Sequence, residues 1–208
     1  MRLQMIISKI ESKKKAKKSS IERAAFELFA ENDIAETSID QIVKRANVAK
    51  GTFYLYYKDK NQLLHHIIFK KSVELVGDAL QKAASQQIEN HIERIIYLTN
   101  YVIEFFRQNK HMLKIINKNL SWSILGDTIK EEQDPEIKKY VDLYIDDMKN
   151  DGYTKEEAFQ LLFMIIEFIS TVCYSAIILN QPDNIDNLKP MLFQTIRKMM
   201  AHSNTNSI

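Results

Sequence analysis

Apolar residues recur at three- and four-residue spacing along most of the chain, a periodicity that predicts helices and no strands. The first stripe is Ile21, Ala24, Ala25, Leu28 and Phe29. Ser19-x-x-Glu22 has the form of a capping box at its start, and the pattern stops near Asn32. A second, shorter stripe is Ile39, Ile42, Val43 and Ala46, opened by either Ser38 with Gln41 or Thr37 with Asp40. Asn47 tolerates the left-handed conformation that ends a helix, Val48 plugs the joint, and a third helix begins near Lys50. A fourth starts between Asp59 and Asn61 and runs through Leu63, Leu64, Ile67 and Ile68 to Val76. Helix, tight turn and helix at 37–60 describe a helix-turn-helix.

Beyond about Gln86 the pattern predicts longer helices. Ile88, Ile92, Ile95, Ile96, Val102, Ile103 and Phe106 form one stripe, and another runs from His111 to Leu120. Residues 119–127 are irregular and hold the one tryptophan, Trp122. Asp134-Pro135-Glu136 opens the next helix, because proline suits a first turn, and Asp151-Gly152 closes it. Thr154-x-x-Glu157 caps a segment reaching about Leu179, the most apolar in the chain, which predicts burial on several faces. Gln181-Pro182-Asp183 breaks the chain before a last helix from Ile185 to Ala201. The fold class is all-α: an amino-terminal three-helix unit carrying the helix-turn-helix, followed by a larger helical unit. The expected division is a basic, partly disordered arm at 1–18, the helix-turn-helix domain at 19–64, the larger domain at 65–202 and a disordered tail at 203–208.

The third helix has a surface that needs explaining. Phe53 and Tyr57, four apart, turn inward, which leaves Thr52, Tyr54, Leu55 and Tyr56 outside with Lys50, Lys58 and Lys60 around them. Hydroxyl tips on aromatic bodies, ringed by lysine, suit phosphates, base edges and thymine methyls. The competing reading is a core helix with tyrosines at its margins. Thr37, Ser38 and the first amides of the second helix form a helix start of the kind that holds phosphate.

Charge points the same way. Net charge is +2, yet residues 1–60 hold 13 Lys and Arg against 8 Asp and Glu, while the remainder holds 16 against 19. A basic amino-terminal part fits a nucleic-acid module attached to something else. The lysines at 13, 14, 15, 17 and 18 read either as a solvated, frayed start or as an arm that neutralises phosphate. With Gly at 4 and Pro at 3 of 208 residues, turns are scarce. One cysteine, Cys173, excludes an intrachain disulfide framework. No apolar run approaches the ~18 residues of a membrane span, and the first ten residues lack a signal-peptide pattern. The expectation is a cytoplasmic protein with no membrane partner. No glycine-rich phosphate loop, nucleophile motif, His-Glu-x-x-His or cysteine pair is present, so no catalytic residue, metal ligand or cofactor is expected, and the protein is read as a non-enzyme.

Residues 21–66 resemble the DNA-binding domain of the TetR/AcrR family of bacterial transcription regulators. The resemblance is carried by Ala25-x-x-Leu28-Phe29-Ala30, by Thr37-Ser38-Ile39, and above all by Ala46-Asn47-Val48-Ala49-Lys50-Gly51-Thr52-Phe53-Tyr54-Leu55-Tyr56-Tyr57-Lys58-Asp59-Lys60. It implies a sequence-specific transcriptional regulator, most simply a homodimeric repressor paired through its last two helices on a palindromic double-stranded operator and released by a small apolar or amphipathic effector. DNA contacts are then expected from Thr37, Ser38, Lys50, Gly51, Thr52, Tyr54, Leu55, Tyr56, Lys58 and Lys60. An effector pocket is expected among Tyr97, Tyr101, Phe105, His111, Met112, Trp122, Phe168 and Tyr174. The resemblance equally accommodates an activator or a ligand-free nucleoid or division factor, and a helical ligand-binding protein without DNA is the reading furthest from it. Three positions depart from the family pattern: Asn47 stands where glycine is common, Ala49 where Ser or Thr is usual, and Tyr56-Tyr57 where His and Phe are frequent.

Overall fold

Side-chain caps set most of the helix boundaries. The computed structural model describes residues 2–32, 34–119 and 135–201. Its helices are α1 (Arg2–Glu31), α2 (Ile39–Arg45), α3 (Lys50–Tyr54), α4 (Lys60–Ser85), α5 (His91–Gln108), α6 (Lys110–Asn119), α7 (Pro135–Asn150), α8 (Lys155–Cys173, continued by a π-helical turn Tyr174–Leu179) and α9 (Ile185–Met200). Of the two candidate boxes before α2, Ser38 forms the cap: its hydroxyl accepts from the Gln41 amide at 3.2 Å, and its own amide donates to Gln41 Oε1 at 2.7 Å. Thr154 and Glu157 make the same reciprocal pair at the start of α8. Asn47 takes the left-handed conformation at φ 53°, as the turn requires, and Gly152 at φ 92° closes α7.

Two boundaries differ from the sequence expectation. Ser19 does not start a helix, because α1 is already helical from Arg2, and Glu22 is therefore no capping residue. The helix expected from about Gln86 begins at His91, because Gln87 is left-handed at φ 55° and the Asn90 side chain caps α5 by accepting from the Glu93 amide. The irregular stretch with Trp122 and the tail after Ala201 lie outside the described residues.

The chain divides into two units, Met1–Lys70 and Lys71–Ile208. In the first, α1 packs on both α2 and α3. Ile21, Ala25, Leu28 and Phe29 of α1 are buried, as are Ile42, Phe53, Leu63 and Ile68 on the other helices of the unit, so water is excluded from its core. In the second, α8 is the hub and touches α5, α6, α7 and α9. Ile103, Leu113, Met148, Leu161, Cys173 and Ile196 fill the space around it. The expectation of no membrane-length segment holds only for unbroken apolar runs. As one 25-residue helix, Lys155–Leu179 is long and apolar enough to cross a membrane by length and composition. In this unit it serves as the central helix instead, although only 22% of its most apolar stretch is buried.

Candidate nucleic-acid interface

The helix-turn-helix is held by contacts that converge on the joint. The Ser20 hydroxyl donates to the Ala46 carbonyl at 2.9 Å, pinning the end of α2 to α1. Arg45 pairs with Glu31 at 2.7 Å. Ala49 precedes α3 without a side-chain cap, as its departure from Ser or Thr implies. Phe53 and Tyr57 are buried, at 0% and 3% exposure, which fixes the rotation of α3. Its outer side therefore presents Tyr54 and Leu55, 52% and 79% exposed. Lys50 stands beside them with its ammonium 2.8 Å from Asp40, and that hydrogen bond raises its pKa. At Gly51 an added Cβ would meet nothing within 4 Å.

The ten residues expected at DNA fall into two groups. Lys50, Gly51, Tyr54, Leu55 and Lys58 are exposed together on or just after α3, and Thr52 is half-buried beside them. The rest are engaged within the unit. Thr37 is buried, and the Ser38 hydroxyl is committed to the α2 cap. The Tyr56 hydroxyl donates to the Lys14 carbonyl at 3.0 Å. Lys60 turns inward: its ammonium donates to the carbonyls of Ile34, Ala35 and Thr37 at 2.5, 3.2 and 2.8 Å.

Sequence reasoning missed the polar centre of this unit. Glu22, 8% exposed, accepts from Tyr57 Oη at 2.8 Å and from Lys70 Nζ at 2.9 Å, and His66 Nε2 lies 3.1 Å away. Burial by itself raises the Glu22 carboxyl, but the hydrogen bonds from His66, Lys70 and Tyr57 outweigh it and hold the group at about 2. Burial, then the bond to Glu22, pushes the Tyr57 phenol upward. The sequence did contain a signal: Glu22 sits one residue from the buried Ile21, and His66 and Lys70 are four apart on one face of α4.

In the second unit the described residues expected to form a pocket stand on α5, α6 and α8, helices that pack on one another. The Tyr97 hydroxyl accepts from Gln86 at 3.2 Å, and Tyr101 accepts from Lys82 at 2.9 Å with the same ammonium 4.5 Å from its ring centre. Phe105 stacks edge-on against Phe106. Met112 is fully buried, whereas His111, Phe168 and Tyr174 are half-buried, and Trp122 lies outside the described residues. A cleft of ≈ 1020 Å³ opens elsewhere, between α4, α5 and α7. Its walls include Val73, Gly77, Leu80, Ile88, Arg94, Lys139, Tyr140 and Leu143. The Tyr140 hydroxyl would stand 2.8 Å from a Cβ at position 77, so glycine there leaves room for the ring. Cys173 is fully buried, and burial pushes its thiol up to about 12, which keeps it protonated and unreactive at neutral pH.

A capped helix, a left-handed turn and a short second helix with an exposed polar-aromatic face define a helix-turn-helix DNA-binding regulator with a helical second domain. Residues 21–67 match the family model of bacterial regulatory proteins, tetR family. Over that segment, about a quarter of the chain, the sequence is similar to the DNA-binding part of those regulators. It is 25% identical over 150 residues to an HTH-type transcriptional regulator of Staphylococcus aureus, across 71% of this chain and 77% of that one. The same fold occurs in a putative TetR-family regulator of Shewanella sp. PV-4, at 16% identity and a TM-score of 0.66 over 90% of this chain and 99% of that one. It occurs also in the regulator FadR of Bacillus subtilis, solved with stearoyl-CoA, at 17% identity and a TM-score of 0.57 over 86% and 96%.

Proposed function

We propose that the protein is a cytoplasmic homodimeric repressor. It reads a palindromic operator through α3 and the residues that follow, and a small apolar or amphipathic molecule bound in the second unit lowers its affinity for DNA. The observation that carries the DNA-reading face is Gly51. Glycine within an exposed helix costs about 1 kcal/mol relative to alanine. Nothing in the fold requires it here, since a side chain would meet open space. A partner approaching the backbone closely is the remaining reason for glycine, and the neighbouring exposed Lys50, Tyr54 and Leu55 suit phosphate, base edge and thymine methyl. Gly51→Ala is expected to raise thermal stability slightly while weakening binding to a duplex selected from a random library by the intact protein about tenfold or more. Undiminished affinity would remove α3 from the interface.

Pairing through α8 and α9 is supported by the small buried share of α8 and by Met164 and Met191, 47% and 71% exposed. An apolar helix left so open in one chain is a surface for a second. Replacing both methionines by glutamate is expected to shift the protein from dimer to monomer in analytical ultracentrifugation, with the helical far-UV signal kept; a dimer of unchanged affinity would place the interface elsewhere. For the effector, the cleft between α4, α5 and α7 combines apolar walls with charged groups of both signs, Glu74 and Asp78 beside Arg94 and Lys139, a composition that suits an amphipathic molecule. An acyl-CoA, the kind of molecule with which the Bacillus subtilis FadR was solved, has that character. Such a ligand shifts the regulator only by its different affinity for the DNA-competent and released states.

A further inference from the structure

The buried stripe of α1 does not end where the core ends; it changes chemistry. Counting back from Ile21 by three, four, seven and eight residues gives Lys18, Lys17, Lys14 and Lys13. These are the helical positions that continue the face formed by Ile21, Ala24, Ala25, Leu28 and Phe29. Lys13, Lys14 and Lys17 are exposed, and among the described residues none of them pairs with a carboxylate. Lys13 with Lys17 and Lys14 with Lys18 are like-charge pairs four apart, each of which destabilises an isolated helix. The segment is nevertheless helical and is anchored beside the recognition helix. The Tyr56 hydroxyl donates to the Lys14 carbonyl at 3.0 Å, and the Lys18 ammonium lies over the Tyr57 ring at 5.8 Å from its centre. The anchor uses the backbone of Lys14 and leaves its ammonium free.

We infer that the helical extension Lys13–Lys18 is a second DNA-contacting element, whose lysine face takes backbone phosphates next to the segment read by α3. An apolar stripe here would call for protein; the same face built of unpaired lysines calls for a polyanion. The duplex is favoured because Tyr56, which holds the extension, follows directly on the exposed Tyr54 and Leu55. Phosphate contacts of this kind add affinity and salt dependence without adding sequence preference.

This inference rests on the α3 reading, and the test separates the two. The full-length protein carrying Lys13→Gln, Lys14→Gln and Lys17→Gln together is titrated across a salt series with the selected duplex and with a shuffled duplex of equal length. Glutamine keeps helix propensity, and the Lys14 carbonyl remains available to Tyr56. The slope of log K against log salt is expected to fall by about 2 to 3, and affinity near 0.15 M salt by roughly 10- to 100-fold, to the same degree on both duplexes. The matching triple Lys→Arg protein is expected to retain both. Unchanged slope and affinity in the glutamine protein, with Tyr54→Ala still weakening the selected duplex, would overturn the inference and leave the α3 reading standing. Loss of binding only to phosphatidylserine-containing vesicles would overturn it in favour of a membrane. Tyr54→Ala without effect on either duplex would instead sink the α3 reading.

Discussion

Glu22→Ala is expected to destabilise the amino-terminal unit by about 2–3 kcal/mol, because it removes a buried acceptor shared by three donors. Tyr57 Oη loses its buried partner outright, whereas Lys70 and His66, 47% and 34% exposed, recover part of theirs from water. The pH dependence gives an independent measure. The Glu22 carboxyl lies at about 2 in the folded chain against an ordinary 4.5. A depressed carboxyl contributes stability that is whole above the unfolded value and is lost as pH falls through the folded one, here between about 4.5 and 2. The gap corresponds to at most ~3 kcal/mol, in line with the mutational figure. Hydrogen exchange of peptides from residues 19–70 in the full chain reads this directly. Wild type and Glu22→Gln should differ at pH 6 and converge as pH approaches 2; a difference that stays constant down to pH 2.5 would show that the carboxylate's charge is not what holds the network.

Lys60→Ala is expected to cost about 2 kcal/mol and to weaken DNA binding without changing its salt dependence. The Lys60 ammonium closes over three carbonyls of the segment joining α1 to α2, and hydrogen bonds from a charged donor contribute about 1.5–3 kcal/mol each before re-solvation of the freed groups. Loosening that segment displaces Ser38 and with it the start of α2, so affinity falls through misplacement of α3. Lys58, exposed, is the opposite case: Lys58→Ala should leave stability alone and lower the salt slope by about 1. Lys60→Arg sharpens the contrast. A planar guanidinium keeps the charge but does not reproduce a compact ammonium against three converging acceptors. If Lys60 served phosphate, the arginine protein would bind normally; as a staple of the α1–α2 segment, it should behave as the alanine protein does.

Both effects concern residues that sequence reasoning assigned to other tasks. Glu22 was read as a helix cap because Ser19 stands three residues before it, a pattern that has its usual meaning only if the helix begins there. Lys60 was read as a phosphate contact from the order of residues 46–60 alone. The exposed face of α3, by contrast, followed from one fact available in the sequence. Phe53 and Tyr57 are four apart and apolar-bodied, so they turn inward together and carry Tyr54 and Leu55 outward. In the second unit, spacing set Tyr97, Tyr101 and Phe105 four apart along α5, but helical spacing fixes only which face a side chain occupies and says nothing of which helix lies opposite.

What the sequence determined by itself was everything settled within about four residues. That includes the all-helical class, the Thr154–Glu157 cap, the left-handed Asn47, the stop at Gly152 and the inward turn of Phe53. Capping, propensity and amphipathic periodicity act between near neighbours along the chain. What only the tertiary structure decided joins residues far apart in sequence. Glu22 meets Tyr57, His66 and Lys70 across 35, 44 and 48 residues, Lys60 reaches back 23 to 26, and Tyr56 holds Lys14 across 42. Each is a buried or half-buried polar group whose partner is selected by the packing of helices, and the periodicity of one helix carries no record of what another places against it.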